Sequence, residues 1–205
     1  PWPCHCTLSA GALSVQWQGH GLRHLRWGAH EIWHGLSVVL RDADWGTPEP
    51  EVDFVQVNQG GDAFELELRG RFPGPVSFHL LVQGRAAGEL DLTVDLQAGE
   101  EVRVNRLGLC LLHPRSVQGA RVEVTHVDGR TSASTFPERI VPWPPFMLVR
   151  SLRHEWAPGR WATATLEGDV FETEDQRNNA DASFKTYSRS NMAPRAAPHG
   201  NHAMQ

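Results

Sequence analysis

Lysine and tyrosine are almost missing from this chain: each occurs once in 205 residues, as Lys185 and Tyr187. Positive charge is otherwise written as arginine, so one ammonium and one phenol have been kept two positions apart. Cysteine is scarce too. Cys4, Cys6 and Cys110 make an odd count with no pair of CxxC units, which argues against a disulfide framework and a structural zinc site. Cys4-His5-Cys6 offers neighbouring ligands but no second pair to close a tetrahedron, and reduced thiols with a cytoplasmic location fit better. No stretch approaches the apolar length of a membrane span, and Pro1-Trp2-Pro3 lacks the basic start and apolar core of a secretion signal. A net charge of −5 disfavours nucleic acid or an anionic membrane as the main partner. The chain also begins without methionine, so a fragment or an internal start is expected.

What is present is a glycine- and proline-punctuated series of short apolar alternations. Phe64, Leu66 and Leu68 alternate with Glu65, Glu67 and Arg69; Phe78, Leu80 and Val82 repeat the pattern, as do Leu90, Leu92, Val94 and Leu96. Leu36 to Leu40 is a nearly continuous apolar run suited to a strand covered on both faces. No segment shows a convincing helical period. With 19 glycines and 14 prolines, the pattern predicts an all-β fold, an antiparallel β-sandwich formed by residues 1–189. Pro137 to Pro145 holds four prolines around Trp143 and reads as a crossing between sheets. Residues 190–205 have no period and no apolar face, and are expected to be disordered or frameshifted.

The densest chemistry lies between Glu167 and Arg189, EGDVFETEDQRNNADASFKTYSR. Val170 and Phe171 begin a strand, and Glu172 to Asn179 is a polar run that no alternation buries, hence a solvated loop or a site. This stretch resembles the signature EGD(V/I)FEMEDQRNWTDASYKTY of the D-apionate lactonases, bacterial enzymes that open the lactone of a branched-chain sugar acid. Thr173 stands where the signature has methionine, and Asn179 where it has tryptophan. The same resemblance takes in Arg41 to Thr47, Asn105 to Pro114, Phe136-Pro137, Ile140 and Pro145-Phe146, and so covers roughly Gly11 to Arg189. It implies the β-rich N-terminal part of a lactone hydrolase whose β/α barrel would follow, with a sugar-acid lactone or other carbohydrate as ligand and the barrel as partner.

Opening a lactone requires a base to activate water and a donor for the developing oxyanion. Glu172, Glu174, Asp175 and Asp181 are the candidate catalytic carboxylates; Arg177, Lys185 and Tyr187 are the candidate substrate-binding groups. Extended backbone would place Glu172 and Glu174 on one face and Asp175 on the other. The competing reading is a structural network in which the cations neutralise the acids. No metal and no cofactor is expected. Two other readings stay open: a non-catalytic carbohydrate-binding or structural module, and a mutarotase-like sugar epimerase using His113 or His126 with Glu123. Trp17, Trp27, Trp33 and Trp45 would be core if buried and sugar platforms if exposed.

Overall fold

The structure, a computed structural model, describes residues 5–179, 181–190, 195–196 and 200–204. The chain starts with β1 (His5–Ala10), β2 (Leu13–Gln18), β3 (Gly21–Trp27) and β4 (His30–Asp42), each antiparallel to the next. It then builds a second sheet from β5 (Glu51–Gln59), β6 (Ala63–Arg71), β7 (Val76–Arg85) and β8 (Glu89–Ala98). Returning to the first sheet, it lays β9 (Arg103–Leu112) against β4. It continues in that sheet with β10 (Arg121–His126), β11 (Thr131–Thr135), β12 (Phe146–Ala157), β13 (Arg160–Thr165), β14 (Phe171–Gln176) and β15 (Ser183–Ser188). Their spatial order is β1-β2-β3-β4-β9-β15-β14-β12-β10-β11, with β13 also on β12. The only helical piece among the described residues is a 3-10 turn at Arg115–Val117, and no helix is long and apolar enough to cross a membrane.

The sheets form where period-two alternation supplies one apolar face. Phe64, Leu66 and Leu68 point inward beside Phe78, Leu80, Val82, Val94 and Leu96, and they share one core with Leu8, Ala10, Leu13 and Val15 of the first sheet. Each such Val, Leu or Phe side chain contributes roughly 1.5–3 kcal/mol on burial. Phe64 lies directly opposite Gly84, whose missing side chain leaves the ring its place. The antiparallel β-sandwich is thus what the alternation predicts.

Two local readings change. The polar run from Glu172 is strand as far as Gln176, because neighbouring strands bury it. Pro137 to Pro145 does not cross between sheets: it joins β11 to β12, both in the first sheet. In the tail, β16 (Arg195–Ala196) pairs with β9 and β17 (Gly200–Met204) with β8. The other tail positions, 191–194, 197–199 and 205, lie outside the described residues, as do 1–4 and therefore Cys4 of the Cys4-His5-Cys6 reading.

The half of the first sheet beyond β9 adds Phe136, Phe146, Val149, Leu152, Phe171 and Phe184 to the same core. Two histidines are sealed inside it. His113 donates to or accepts from Thr186 Oγ1 at 2.8 Å, and His154 packs edge-on to Trp33 without a side-chain hydrogen bond. Burial drives the His113 pKa well below its ordinary value, with His154 adding to the effect; burial takes His154 from 6.5 to about 4. Both are held neutral in the fold, whereas the unfolded chain takes up protons below pH 6.5, so stability is complete above that pH and is lost as pH falls towards 4. For His154 the loss is on the order of 3 kcal/mol. Urea unfolding at pH 7 and pH 4.5 will show this fall, and His154→Phe will flatten it.

Candidate functional site

Backbone pairing decides which polar side chains meet. In the β14–β15 ladder Glu172 is opposite Tyr187, Glu174 opposite Lys185 and Gln176 opposite Ser183; in the β15–β9 ladder Tyr187 is opposite Cys110 and Lys185 opposite Leu112. One side of the sheet therefore carries Glu172, Glu174, Gln176, Lys185 and Tyr187 together. Arg106 of β9 sits among them, with only 2% of its side chain exposed. It donates to the Ser188 carbonyl, to Glu172 Oε1 at 3.2 Å and to Glu174 Oε1 at 2.8 Å, and its guanidinium carbon lies 3.3 Å from the Tyr187 ring centroid. Tyr187 donates its hydroxyl hydrogen to Glu174 Oε2, and Gln176 Nε2 donates to the same oxygen at 2.7 Å. Glu172 Oε1 also accepts from the Ser190 amide at 3.2 Å.

Asp175 faces the other way, as extended backbone requires. It takes a two-pronged contact from Arg177 at 2.8 Å on each oxygen, and accepts the Val141 amide at 3.0 Å. Arg177 also donates to the Glu138 carbonyl and lies over the Phe184 ring. This pair fastens the proline-rich connector to β14. Asp181 and Lys185 form a pair at 3.1 Å beside the Arg106 network, 29% and 18% exposed. The seven residues singled out in the sequence are thus divided: Glu172, Glu174 and Tyr187 join one network, Asp181 and Lys185 its rim, and Asp175 and Arg177 the opposite face.

The electrostatics follow from these contacts. Burial pushes the Glu174 carboxyl up, but hydrogen bonds from Tyr187 and Gln176 and the Arg106 charge outweigh it, and the group titrates below 4.5. Asp175 shows the same balance, burial against the Arg177 and backbone donors, with a net lowering. Tyr187 is pushed far up by burial and, after that, by the Glu174 carboxylate, so it stays a phenol that donates. Burial raises Cys110, beneath them, to about 11 and keeps it a thiol. Both oxygens of Glu174 are occupied, and an ionised carboxylate already engaged in this way is a weak proton acceptor. The arrangement positions groups more readily than it moves protons.

Arg106 and Gln176 carry this network, yet neither is distinguished by residue type in the sequence. Their signal was membership of the resembling segments. The Arg41 to Thr47 segment forms a turn around Asp42, whose carboxylate accepts the Asp44 and Gly46 amides, with Arg41 opposite Arg106 in the β4–β9 ladder. Trp17 is core, Trp27 and Trp33 pack partly buried against it, and Trp45 is 44% exposed. The groups considered for epimerase chemistry are engaged apart from one another. His113 bonds Thr186, His126 bonds the Met147 carbonyl and Ser132, and Glu123 pairs with Arg153.

Removing Arg106 strands two carboxylates at a buried position, so Arg106→Ala will cost about 3–5 kcal/mol in urea unfolding at pH 7. Because the folded pKa of Glu174 is depressed, its stabilising contribution is present above pH 4.5 and is lost as pH falls through the folded value. Glu174→Gln will remove that component from the acid limb of the stability profile.

Residues 1–203 match the family described as D-apionate lactonase, N-terminal domain, a match that passes Arg189, where the sequence reading placed the departure from the pattern. The chain is also 37% identical over 192 residues to the D-apionate lactonase of Brucella anthropi. That alignment covers 91% of this chain and 31% of the relative, so the chain spans less than a third of the length of that curated protein. A buried polar network assembled from the very segments that carry the resemblance accords with that match, and the chain belongs to the D-apionate lactonase N-terminal domain family.

Proposed function

We propose that this chain is the β-domain of a cytoplasmic sugar-acid lactonase, in which the complete protein hydrolyses D-apionolactone to D-apionate and the β-domain alone does not. The observation that carries the reading is the 37% identity to a D-apionate lactonase across almost the whole chain. In this reading the length beyond the domain forms a β/α barrel, whose strand-end loops supply most of the site. The β-domain contributes a preorganised polar face in mid-sheet. Lys185 and Asp181 meet the lactone or the barrel loops. Glu174 and Tyr187, locked by Arg106, orient whatever lies against them, and Glu172 completes the charge balance. Asp175 and Arg177 hold the sheet from its other face.

The saturation of Glu174 favours a supporting module over a domain that performs proton transfer by itself. A carboxylate that already accepts from Arg106, Tyr187 and Gln176 gains little by taking a proton from water. Carbohydrate binding without turnover is the neighbouring reading, and the same saturation supports it equally.

Acid release from D-apionolactone, followed by titration, distinguishes these. The chain alone will hydrolyse no faster than buffer, a full-length protein carrying this domain will turn the lactone over, and Lys185→Met in the full-length protein will lower kcat/KM by at least about tenfold. Turnover by the chain alone, abolished by Glu174→Gln, would move the chemistry into this domain. No turnover by the full-length protein would remove the lactonase reading.

A further inference from the structure

A second polar constellation lies on the β3–β4 hairpin and involves none of the residues above. The register runs Arg23 opposite Gly35 and Leu25 opposite Trp33, which sets His24 across from His34. It then shifts, so that Arg26 is opposite Glu31 and Ile32 is an extra residue in β4. Regular alternation sends side chains three apart to opposite faces. The extra residue cancels this, turning Ile32 into the core and returning Glu31 to the side of His34. His24 has a left-handed φ of 52°, a conformation that histidine tolerates better than most residues. Both departures from ideal strand act at one place, and their combined effect is to aim three donors at one point.

The donors converge closely. His24 Nδ1 is 2.8 Å from Glu31 Oε2, His34 Nδ1 is 2.6 Å from Glu31 Oε1, and the ligand atoms of the three residues all lie within 4.8 Å of one another. The imidazoles meet edge to face at 5.1 Å. All three side chains are partly buried, at 32%, 23% and 32% exposure, so the donors are held by packing while one side stays open to solvent. Arg26 approaches Glu31 only to 4.0 Å and is itself 45% exposed, leaving it free to swing away.

We propose that His24, Glu31 and His34 form a binding site for a first-row divalent transition ion of the zinc class. Two imidazole nitrogens and one carboxylate are the donor types such ions take at about 2.0–2.2 Å, which sets neighbouring ligand atoms roughly 3 Å apart. On binding, each neutral imidazole carries its proton on Nε2 and presents the Nδ1 lone pair to the ion, so the metal replaces the two contacts to Glu31. Three protein ligands leave a coordination position for water or a ligand oxygen, the arrangement of an open site rather than a closed structural one.

Titrating the metal-free chain with Zn²⁺ alone, and with Co²⁺ to read the visible ligand-field bands, tests this. One ion will bind per chain, with Co²⁺ bands characteristic of nitrogen and oxygen donors. His34→Gln and Glu31→Gln will each weaken binding by about tenfold or more, with the far-ultraviolet circular dichroism unchanged. In the unaltered chain, the ¹⁵N resonances of the His24 and His34 rings will shift on saturation, a readout independent of whether any variant folds. Equal affinity in the unaltered chain and His34→Gln, or unmoved His24 and His34 resonances at saturation, would overturn the proposal.

Discussion

A buried guanidinium is the constraint on which this half of the molecule is built. A guanidinium in a protein stays charged and fully donating, so a sheet that encloses one must bring acceptors to it. For Arg106 it does so from two other strands: carboxylates at Glu172 and Glu174 of β14, and the Ser188 carbonyl at the end of β15. The Tyr187 ring covers the guanidinium face, and its hydroxyl closes the circuit onto Glu174. The chain's one tyrosine is thus used for both its apolar face and its polar tip. Breaking any one of these contacts leaves charge in a low-dielectric setting, so the network behaves as a unit.

This unit determines what the domain presents. Because β14 alternates, its even-numbered residues enter the Arg106 network, while Asp175 turns to the other face and, with Arg177, grips the proline-rich connector at Val141 and Glu138. The polar face is therefore held from both sides, with Glu174, Asp181 and Lys185 partly exposed. Such a face suits a domain that orients a ligand or a neighbouring domain, since the groups it offers keep one geometry before anything arrives.

The parts legible in the sequence were those where burial follows apolarity. The alternations in β6, β7 and β8 gave the sandwich because each alternate residue has somewhere dry to go. β14 was hidden because Glu172 and Thr173 are buried by pairing and packing rather than by their own character. β11, reading TSAST, is exposed throughout and carries no apolar signal. β12 is broken by a register shift between Phe146 and Val149, where Leu148 takes a positive φ and Met147 and Leu148 are exposed. The connector was misplaced because stiffness shows that a segment is extended, not which sheet it rejoins. The separation of Glu172 and Glu174 from Asp175 was readable from strand geometry alone. Arg106 lies 66 positions from Glu172, a pairing that no local pattern contains, and His24 and His34 meet only through the register of a hairpin.

A double-mutant cycle on Arg106 and Glu174 addresses the central claim most directly, using Arg106→Met, Glu174→Gln and the pair together in urea unfolding at pH 7. A shared buried network predicts coupling of about 1 kcal/mol or more, with the double variant less destabilised than the sum of the single ones. Additive effects would contradict it, and would mean that Arg106 and the carboxylates of β14 are held in place independently.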